Sequence, residues 1–443
     1  MSSMGSMTTA MLSVNRTRKA TVGIIGAFFI QGFLAVSWLP RIPEVIDNLK
    51  VPFSTWGFIM GVAGLGSMLP LLFANKLINR WGTRPLLQLS FMLAVIAVCS
   101  FGFITNPLVF FAAVFLQNFG YGIYNVAINA HSVVFQNRIG RIILGRFHAA
   151  WSIGAASASL LTGILAPFIA LHVYLVVVAL VAGVLCLFGT SFMLGPNEDG
   201  HEQERKRAES VPLFKTPGYV LLLAVGLLCA VLPEVSAMEW GAVFAKRSMH
   251  LSPALQGLPY TFFVTSMIVA RLSIGRLSRR RHLSRVGQIA GVMGAISMTI
   301  AVLLGSLLSG INPVLALSVT AVFWVFTGLG SGPQVPAFFS VTGSVAGMTT
   351  AQVMSRMSLV NSLLILGAKI LMGAVAQSAG VPFVFVLPIL AYVGAVLIAG
   401  YVIRRQRREA AVEAADDGTP QNDEIEAFEA FPSTSPIGVI ESK

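Results

Sequence analysis

At 443 residues, the chain carries 55% hydrophobic and only 11% charged residues, far below the roughly 25% charge of soluble domains. That excludes a water-soluble globule and makes it an integral membrane protein. The formal charge of +12 would suit nucleic acid, but the Lys and Arg residues form short clusters between apolar segments, as cytoplasmic loops do against anionic headgroups, so no nucleic-acid partner is expected.

The first twenty residues are small and polar and end in Arg16, Arg18 and Lys19. They lack a signal-peptide pattern and read as a disordered cytoplasmic leader, 1–20, before an uncleaved first span. With about 20 apolar residues needed per span, about twelve spans follow. The first half gives roughly 21–40, 56–74, 86–104, 107–135, 147–166 and 169–193, an N-terminal bundle over 21–194. A polar cytoplasmic linker, 195–217, separates it from the second half. There the spans are roughly 218–244, 256–275, 287–308, 313–341, 352–376 and 380–403, a C-terminal bundle over 218–403. Beyond Arg404, Arg405, Arg407 and Arg408 the tail, 404–443, turns acidic and rich in Ala, Pro and Ser, a composition expected to be disordered. Cys99, Cys186 and Cys229 all fall within spans, without CxxC spacing or His partners, so neither a disulfide framework nor a metal site is indicated.

Positive charge alternates from loop to loop. Lys76, Arg80 and Arg84, then Arg138, Arg141 and Arg146, then Arg276, Arg279, Arg280, Arg281 and Arg285 alternate with loops nearly free of it, which places both termini in the cytoplasm. Arg41 with Lys50, offset by Glu44 and Asp47, and Lys246 with Arg247 are the exceptions outside. The halves also echo each other. Leu77-x-x-Arg80 recurs as Leu277-x-x-Arg280, Trp38 as Trp240, Gly120-x-Gly122 as Gly328-x-Gly330 and Arg146 as Arg356, at offsets of 200 to 210 residues. The expected fold is therefore all-α, with twelve transmembrane helices in two pseudo-symmetric six-helix bundles. Parallel repeats holding a solute near the midplane define one class of secondary transporter.

Within the fourth span Tyr121, Asn125, Asn129 and His131 interrupt an otherwise apolar helix. Asn125 and Asn129 share a face one turn apart, read here as the wall of a solute pathway, with interhelical hydrogen bonding as the alternative. Glu234 follows Pro233 about 24 Å along the seventh span, and Lys369 lies about 25 Å along the eleventh, at 1.5 Å per residue. The two are expected at similar depth and close enough to interact. Either they form a proton-coupled carboxylate tuned by a cation or an anchor for a charged solute, or they are a static buried pair. Glu239, about 140° round the helix from Glu234, is assigned a gate, interface or proton-coupling role, with a snorkelling surface carboxylate as the alternative. His148, at the start of span five, titrates near neutral pH when unperturbed; beside the arginine turn, a structural hydrogen bond is favoured for it over a proton relay. Gln31, Gln334, Asn129 and Asn361 form a neutral hydrogen-bonding set for a polyol or sugar-like solute. Trp38, Tyr121, Trp151 and Trp324 offer a stacking surface, with packing the default for each.

The loop Asn75-Lys76-Leu77-Ile78-Asn79-Arg80-Trp81-Gly82-Thr83-Arg84 resembles the major facilitator signature G-x-L-x-D-R-x-G-R-K. Leu77, Arg80, Gly82 and Arg84 match, while Asn75 and Asn79 replace the glycine and the aspartate. Trp38 to Pro43, Asn125 to Ala130, Phe147 to Gly154 and Glu234 to Val243 are similar to the bacterial inner-membrane carriers near the fucose permeases. That resemblance implies a gating role on the cytoplasmic side for Asn79, Arg80, Gly82, Arg84, Arg141, Arg271 and Arg280. Asn125 and Gln136 stand where relatives carry acids, and Gly154 to Pro167 lacks the drug-antiporter signature.

The function expected is a secondary active transporter of the bacterial cytoplasmic membrane, moving a sugar-like solute or organic anion by rocker-switch alternating access. Protons are its expected coupling ion, lipid its surroundings and a monomer its working form, with no cofactor. A drug or metabolite efflux carrier and a non-transporting sensor or scaffold are the alternatives. An enzyme is not indicated, because the chain shows no clustered nucleophile and base, metal-ligand set or P-loop.

Overall fold

The computed structural model describes residues 13–140, 143–195, 198, 216–277, 283–340, 348 and 350–416, and among these every regular element is helical. The main helices of the first half are α1 (Val14–Val36), α2 (Phe53–Val62, continued by Leu65–Met68 and the tight turn Leu69–Leu72), α3 (Thr83–Phe101), α4 (Pro107–Ile139), α5 (Leu144–Leu165) and α6 (Leu171–Ser191). Those of the second half are α7 (Gly218–Arg247), α8 (Leu258–Leu277), α9 (Leu283–Leu308), α10 (Pro313–Ser331), α11 (Thr350–Ser378) and α12 (Val386–Asp416). Ten helical segments among the described residues are long and apolar enough to cross a bilayer. Of the other two expected spans, α5 is long enough but dilutes its apolar run with Ser152, Ser157, Ser159 and Thr162, while the apolar run of α8 is the shorter Leu258–Ile274.

The helix ends depart from expectation at both termini. α1 begins at Val14, inside the expected leader, because the Ser13 hydroxyl accepts a hydrogen bond from the Arg16 N–H (3.3 Å) and caps the first turn. α12 runs on to Asp416 through Arg404 and Arg408, since its extension RRQRREAAVEAA is built almost wholly from strong helix formers. Residues 1–12, 417–443 and most of the expected linker lie outside the described residues.

Two compact units are present, one formed by residues 1–51 and 59–210, the other by 52–58 and 211–443. The grouping of 52–58 with the second unit departs from the expected boundaries, and its cause is local. The Phe53 N–H donates to Gln377 Oε1 (2.9 Å), the Phe53 ring lies 6.0 Å from that of Trp240, and Gly57 sits against Gly373 so closely that a Cβ on either would lie 2.6 Å from the other's Cα.

The two halves share a construction, in a register that differs from the expected one. Asn106 caps α4 by accepting from Leu108 N (2.9 Å) and Val109 N (3.4 Å), with Pro107 in the first turn. Asn312 caps α10 in the same way through Val314 N (2.8 Å) and Leu315 N (3.0 Å), ahead of Pro313. Carrying that offset of 206 residues along the helix sets Gly122 against Gly328. Each presses onto a backbone carbonyl of the second main helix of its own unit, Ser67 for Gly122 and Phe263 for Gly328. Gly120 meets Ser90 of α3, and Gly330 meets Gly294 of α9. The expected Gly-x-Gly match therefore shifts by two residues, because the glycines mark separate helix crossings.

The WLPRIP corner is structural. Trp38 packs edge-on against Phe101 (5.0 Å) and Phe110 (6.3 Å), which commits it to the core of the first unit instead of a solute-stacking surface. Buried Arg41 makes two hydrogen bonds to Glu44 (2.8 and 2.6 Å), one to the Ile169 carbonyl (2.9 Å), and lies over the Tyr174 ring. The Arg41 charge is thus neutralised in place by Glu44.

At Gly82 the helix Ala74–Trp81 hands over to α3 with φ 79° and ψ 169°, a region open almost only to glycine. Gly82→Ala is expected to destabilise the protein by about 1–3 kcal/mol, read as a lowered melting temperature in detergent.

Candidate functional site: charges and orphan polar groups inside the helical units

Side chains that are charged at membrane depth are costly enough to mark function. α7 carries two of them. Five residues separate Glu234 from Glu239, so they leave the helix about 140° apart, and each meets a different neighbour. Glu239 pairs with Lys369 of α11, and Glu234 pairs with Arg271 of α8 at 2.9 Å. The expected Glu234–Lys369 pair is thereby corrected. Depth along the helices does not separate the two carboxylates, and the side of α7 that faces α11 does. Arg271, expected among the cytoplasmic gating residues, reaches Glu234 inside the unit.

The pairs differ in burial. The side chains of Glu239 and Lys369 are 4% and 18% exposed, those of Glu234 and Arg271 18% and 31%. Beside the first pair, Ser236 and Met372 touch across the same α7–α11 seam (3.9 Å). Around the second, Tyr260 feels the charges of both Glu234 and Arg271, and Tyr392 that of Glu234. The Tyr392 hydroxyl is satisfied by Ser331 Oγ (2.5 Å) and the Thr327 carbonyl (2.9 Å). Tyr260 OH, Trp324 Nε1 and Asn361 Oδ1 are buried with no hydrogen-bond partner among the described residues. Each such atom costs roughly 1–3 kcal/mol, which a folded protein tolerates where water or solute completes the bond. Gln334, just after the break between α10 and Gln334–Ser340, donates to the Gly287 carbonyl (3.2 Å), so it braces α9.

In the first unit Gln31 of α1 donates to Asn125 Oδ1 of α4 (2.7 Å), and Asn129 donates to the Asn125 carbonyl (2.7 Å). The three expected amides therefore come together, with Asn125 exposed and Gln31 buried. The Gln31–Asn125 contact joins α1 to α4, and Asn125 itself is exposed. Tyr124 OH donates to the Ala27 carbonyl (3.0 Å) and reinforces the same seam. Sequence reasoning misses Gln117, which is buried one turn from Tyr121 on the same helix. An amide and a phenol four residues apart in a span are the signal that could find it. His148 is exposed, with its ring edge-on to Phe28 (5.2 Å). His131 Nδ1 meets Thr83 Oγ1 (2.7 Å), and Gln136 Oε1 caps α5 by accepting from Ile143 N (2.9 Å) and Leu144 N (3.2 Å).

Residues 23–347 match the sequence profile of the Major Facilitator Superfamily. The chain belongs to this superfamily. An uncharacterized MFS-type transporter of Yersinia pestis is 26% identical over 375 residues, covering 81% of this chain and 89% of that one. An uncharacterized transporter of Sinorhizobium fredii is 23% identical over 324 residues, 72% and 81% of the two chains. Among solved structures, the nucleoside transporter NupG is similar with a TM-score of 0.63 at 15% identity, covering 88% of this chain and 98% of that one. A bacterial homolog of the human lysosomal transporter Spinster gives 0.66 at 13% identity, covering 89% and 98%. These likenesses establish the major facilitator fold, and with it a multi-pass membrane transporter. In the superfamily's signature loop Asn79 is half-buried and Arg80 exposed on the helix Ala74–Trp81, and Arg84 lies in the first turn of α3. Arg141 and Arg280 lie outside the described residues.

A further ion pair, unforeseen from sequence, sits outside the spans. Arg16 donates to the Phe192 and Met193 carbonyls (2.8 and 2.9 Å) just past α6 and binds Glu198 (2.5 Å), which also accepts from Gly195 N (2.9 Å). The Arg16 hydrogen bond and then the Gly195 N–H hold the Glu198 carboxyl below its ordinary 4.5. Because the folded value is depressed, the contact's contribution is complete above that ordinary value and is lost as pH falls through the folded one. Glu198→Gln should therefore lower the melting temperature slightly at neutral pH, where the contribution is complete, and flatten the acid limb of a melting-temperature-versus-pH profile below about pH 4.5, so that the variant and the wild type converge in acid.

Proposed function

We propose that this chain is a secondary active transporter that moves a small polar solute across a bacterial cytoplasmic membrane by rocker-switch alternating access, coupled to protons. Both termini lie in the cytoplasm in this reading, following the loop charges, and the working form is a monomer. The observation that carries it is the two-carboxylate helix α7, with each acid paired to a cation from a separate helix at membrane depth. A purely structural helix has no need of four charges there. The amides Gln31, Asn125 and Asn129, with Tyr121 and Asn361, supply neutral hydrogen bonding for hydroxyl or carbonyl groups of the solute. Lys369 favours a solute that is sugar-like or an organic anion. Asn79, Arg80, Gly82, Arg84 and the basic turn residues gate the cytoplasmic side.

The test is uptake into vesicles containing the purified chain, with and without an imposed inward pH gradient, using sugars, nucleosides and organic acids as probes. Gradient-driven accumulation that disappears in Glu239→Gln is the expected result. Solute movement indifferent to the gradient would refute proton coupling, and binding without net flux would return the sensor alternative.

A further inference from the structure

The Glu239–Lys369 pair supports a narrower statement, which rests on the transporter reading. We propose that Lys369 is the binding point for a small organic monoanion, and that Glu239 is the carboxylate that releases Lys369 on protonation, so that one anion and one proton load together.

Glu239 and Lys369 sit some 30 Å along α7 and α11, at 1.5 Å per residue, with side chains 4% and 18% exposed. As a pair they are neutral. Removing the carboxylate by rotation would leave a bare acid among apolar neighbours, which is expensive. Protonating it keeps the side chain in place and breaks only the ion pair, and Lys369 is then an uncompensated cation. A monoanion whose carboxylate oxygen accepts from the ammonium restores neutrality. Proton alone or anion alone leaves a net charge inside the unit, while both together leave none. The empty and loaded states therefore carry the same charge, and each can reorient without dragging an unpaired ion through the membrane interior.

The surroundings favour this pair over its neighbour. Lys369 has three donors and spends one on Glu239. The charged and titratable groups on helices packed against α7 in this region are Arg271 and Tyr260 on α8 and Tyr392 on α12, with Glu234 on α7 itself; α10 and Val381–Val384 contribute none. Arg271 is occupied by Glu234 and is the most exposed of the four charges, so water already offsets changes in its pairing. Coupling between proton and anion is strongest where solvent helps least.

The full chain in detergent and in liposomes is offered lactate, gluconate and benzoate as monoanions, and sorbitol and uridine as neutral probes. Thermal shift and uptake are followed at pH 5.5 and 7.5. Binding of one proton per anion strengthens anion affinity by up to tenfold per pH unit, so at least tenfold tighter binding at pH 5.5 is expected. Glu239→Gln, which mimics the protonated acid, should bind the anion equally at both pH values. Lys369→Gln should lose anion binding at both; should that variant not fold, the doubly neutral Glu239→Gln with Lys369→Gln serves and must bind no anion. Glu198→Gln, in the cytoplasmic pair, should keep the wild-type pH dependence. An unchanged pH slope in Glu239→Gln, or anion binding that survives in the Lys369 variants and is lost in Arg271→Gln, overturns the proposal. Movement of neutral probes alone overturns it while leaving the transporter reading intact. Response to neither class defeats both.

Discussion

Lys369→Ala is expected to destabilise the detergent-solubilised chain by roughly 3–4 kcal/mol at pH 7. Removing the ammonium leaves Glu239, whose side chain is 4% exposed, as an uncompensated buried charge. Its escape is to take up a proton, and moving a carboxyl from its ordinary value of about 4.3 to neutrality at pH 7 costs about 1.4 kcal/mol per pH unit, near 3.7 kcal/mol in all. That figure caps the penalty. It also fixes the sign of the pH dependence: a proton relieves the buried charge, so the variant's deficit shrinks as pH falls toward the ordinary carboxylate range. Glu239→Gln on top of Lys369→Ala should restore most of the loss. Arg271→Ala should cost less, because Glu234 keeps more access to solvent and water shares the burden. Melting temperatures of the three variants and the wild type at pH 5 and 7 check the set, and a Lys369→Ala loss below about 1 kcal/mol would show that the pair is solvated rather than buried.

The same pair shows where sequence reasoning stops. The spans themselves are legible, since apolar runs bounded by Asn106-Pro107, Asn312-Pro313, Gly140 and Gly380 leave little choice of helix position. The identity of the intramembrane charges is legible too, because acids and lysines stand out in such runs. Their pairing is not. Counted from the helix starts, Glu234 lies about 24 Å along α7, Glu239 about 32 Å, and Lys369 about 29 Å along α11, so depth is indifferent between the carboxylates. Only the rotational setting of α7 between α8 and α11 decides, and that setting comes from side-chain packing along the whole seam. Arg271 illustrates the complementary error. Toward the end of its helix, it reads as a gating residue, yet a guanidinium on a long stem reaches well into the unit. For Trp38 packing is the default reading beside a stacking surface, but only the fold names Phe101 and Phe110, sixty and more residues away, as the rings it packs on. Local pattern finds the element and the chemistry; contacts that are distant along the chain assign the partner.

Gly154→Leu is expected to abolish recovery of folded protein, and Gly154→Ala to lower its melting temperature by several degrees, whereas Gly26→Ala is neutral or mildly stabilising. Lipid tails are as apolar as leucine, so helices in a bilayer gain little from burying apolar surface against each other and depend on close contact instead. α1 and α5 achieve it reciprocally. A Cβ on Gly154 would overlap the Phe29 carbonyl oxygen and lie 2.9 Å from its carbon, and one on Gly32 would overlap the Trp151 carbonyl oxygen, with its carbon at 2.9 Å. The obstructing atoms are backbone, which no rotamer change can move, so the helices must separate along their length. Overpacking of this kind costs about 1–3 kcal/mol for small additions and more for a branched side chain. Separation would also part Gln31 from Asn125, because that 2.7 Å bond leaves α1 from the residue next to Gly32. Gly26 lies on the same helix with nothing within 4 Å of the place a methyl group would take, so there alanine contributes its helix preference of up to about 1 kcal/mol without a clash. Yield, monodispersity and melting temperature of the three variants separate steric exclusion from a general intolerance of substitution in α1 and α5, and equal behaviour of Gly26→Ala and Gly154→Ala would refute the interlock.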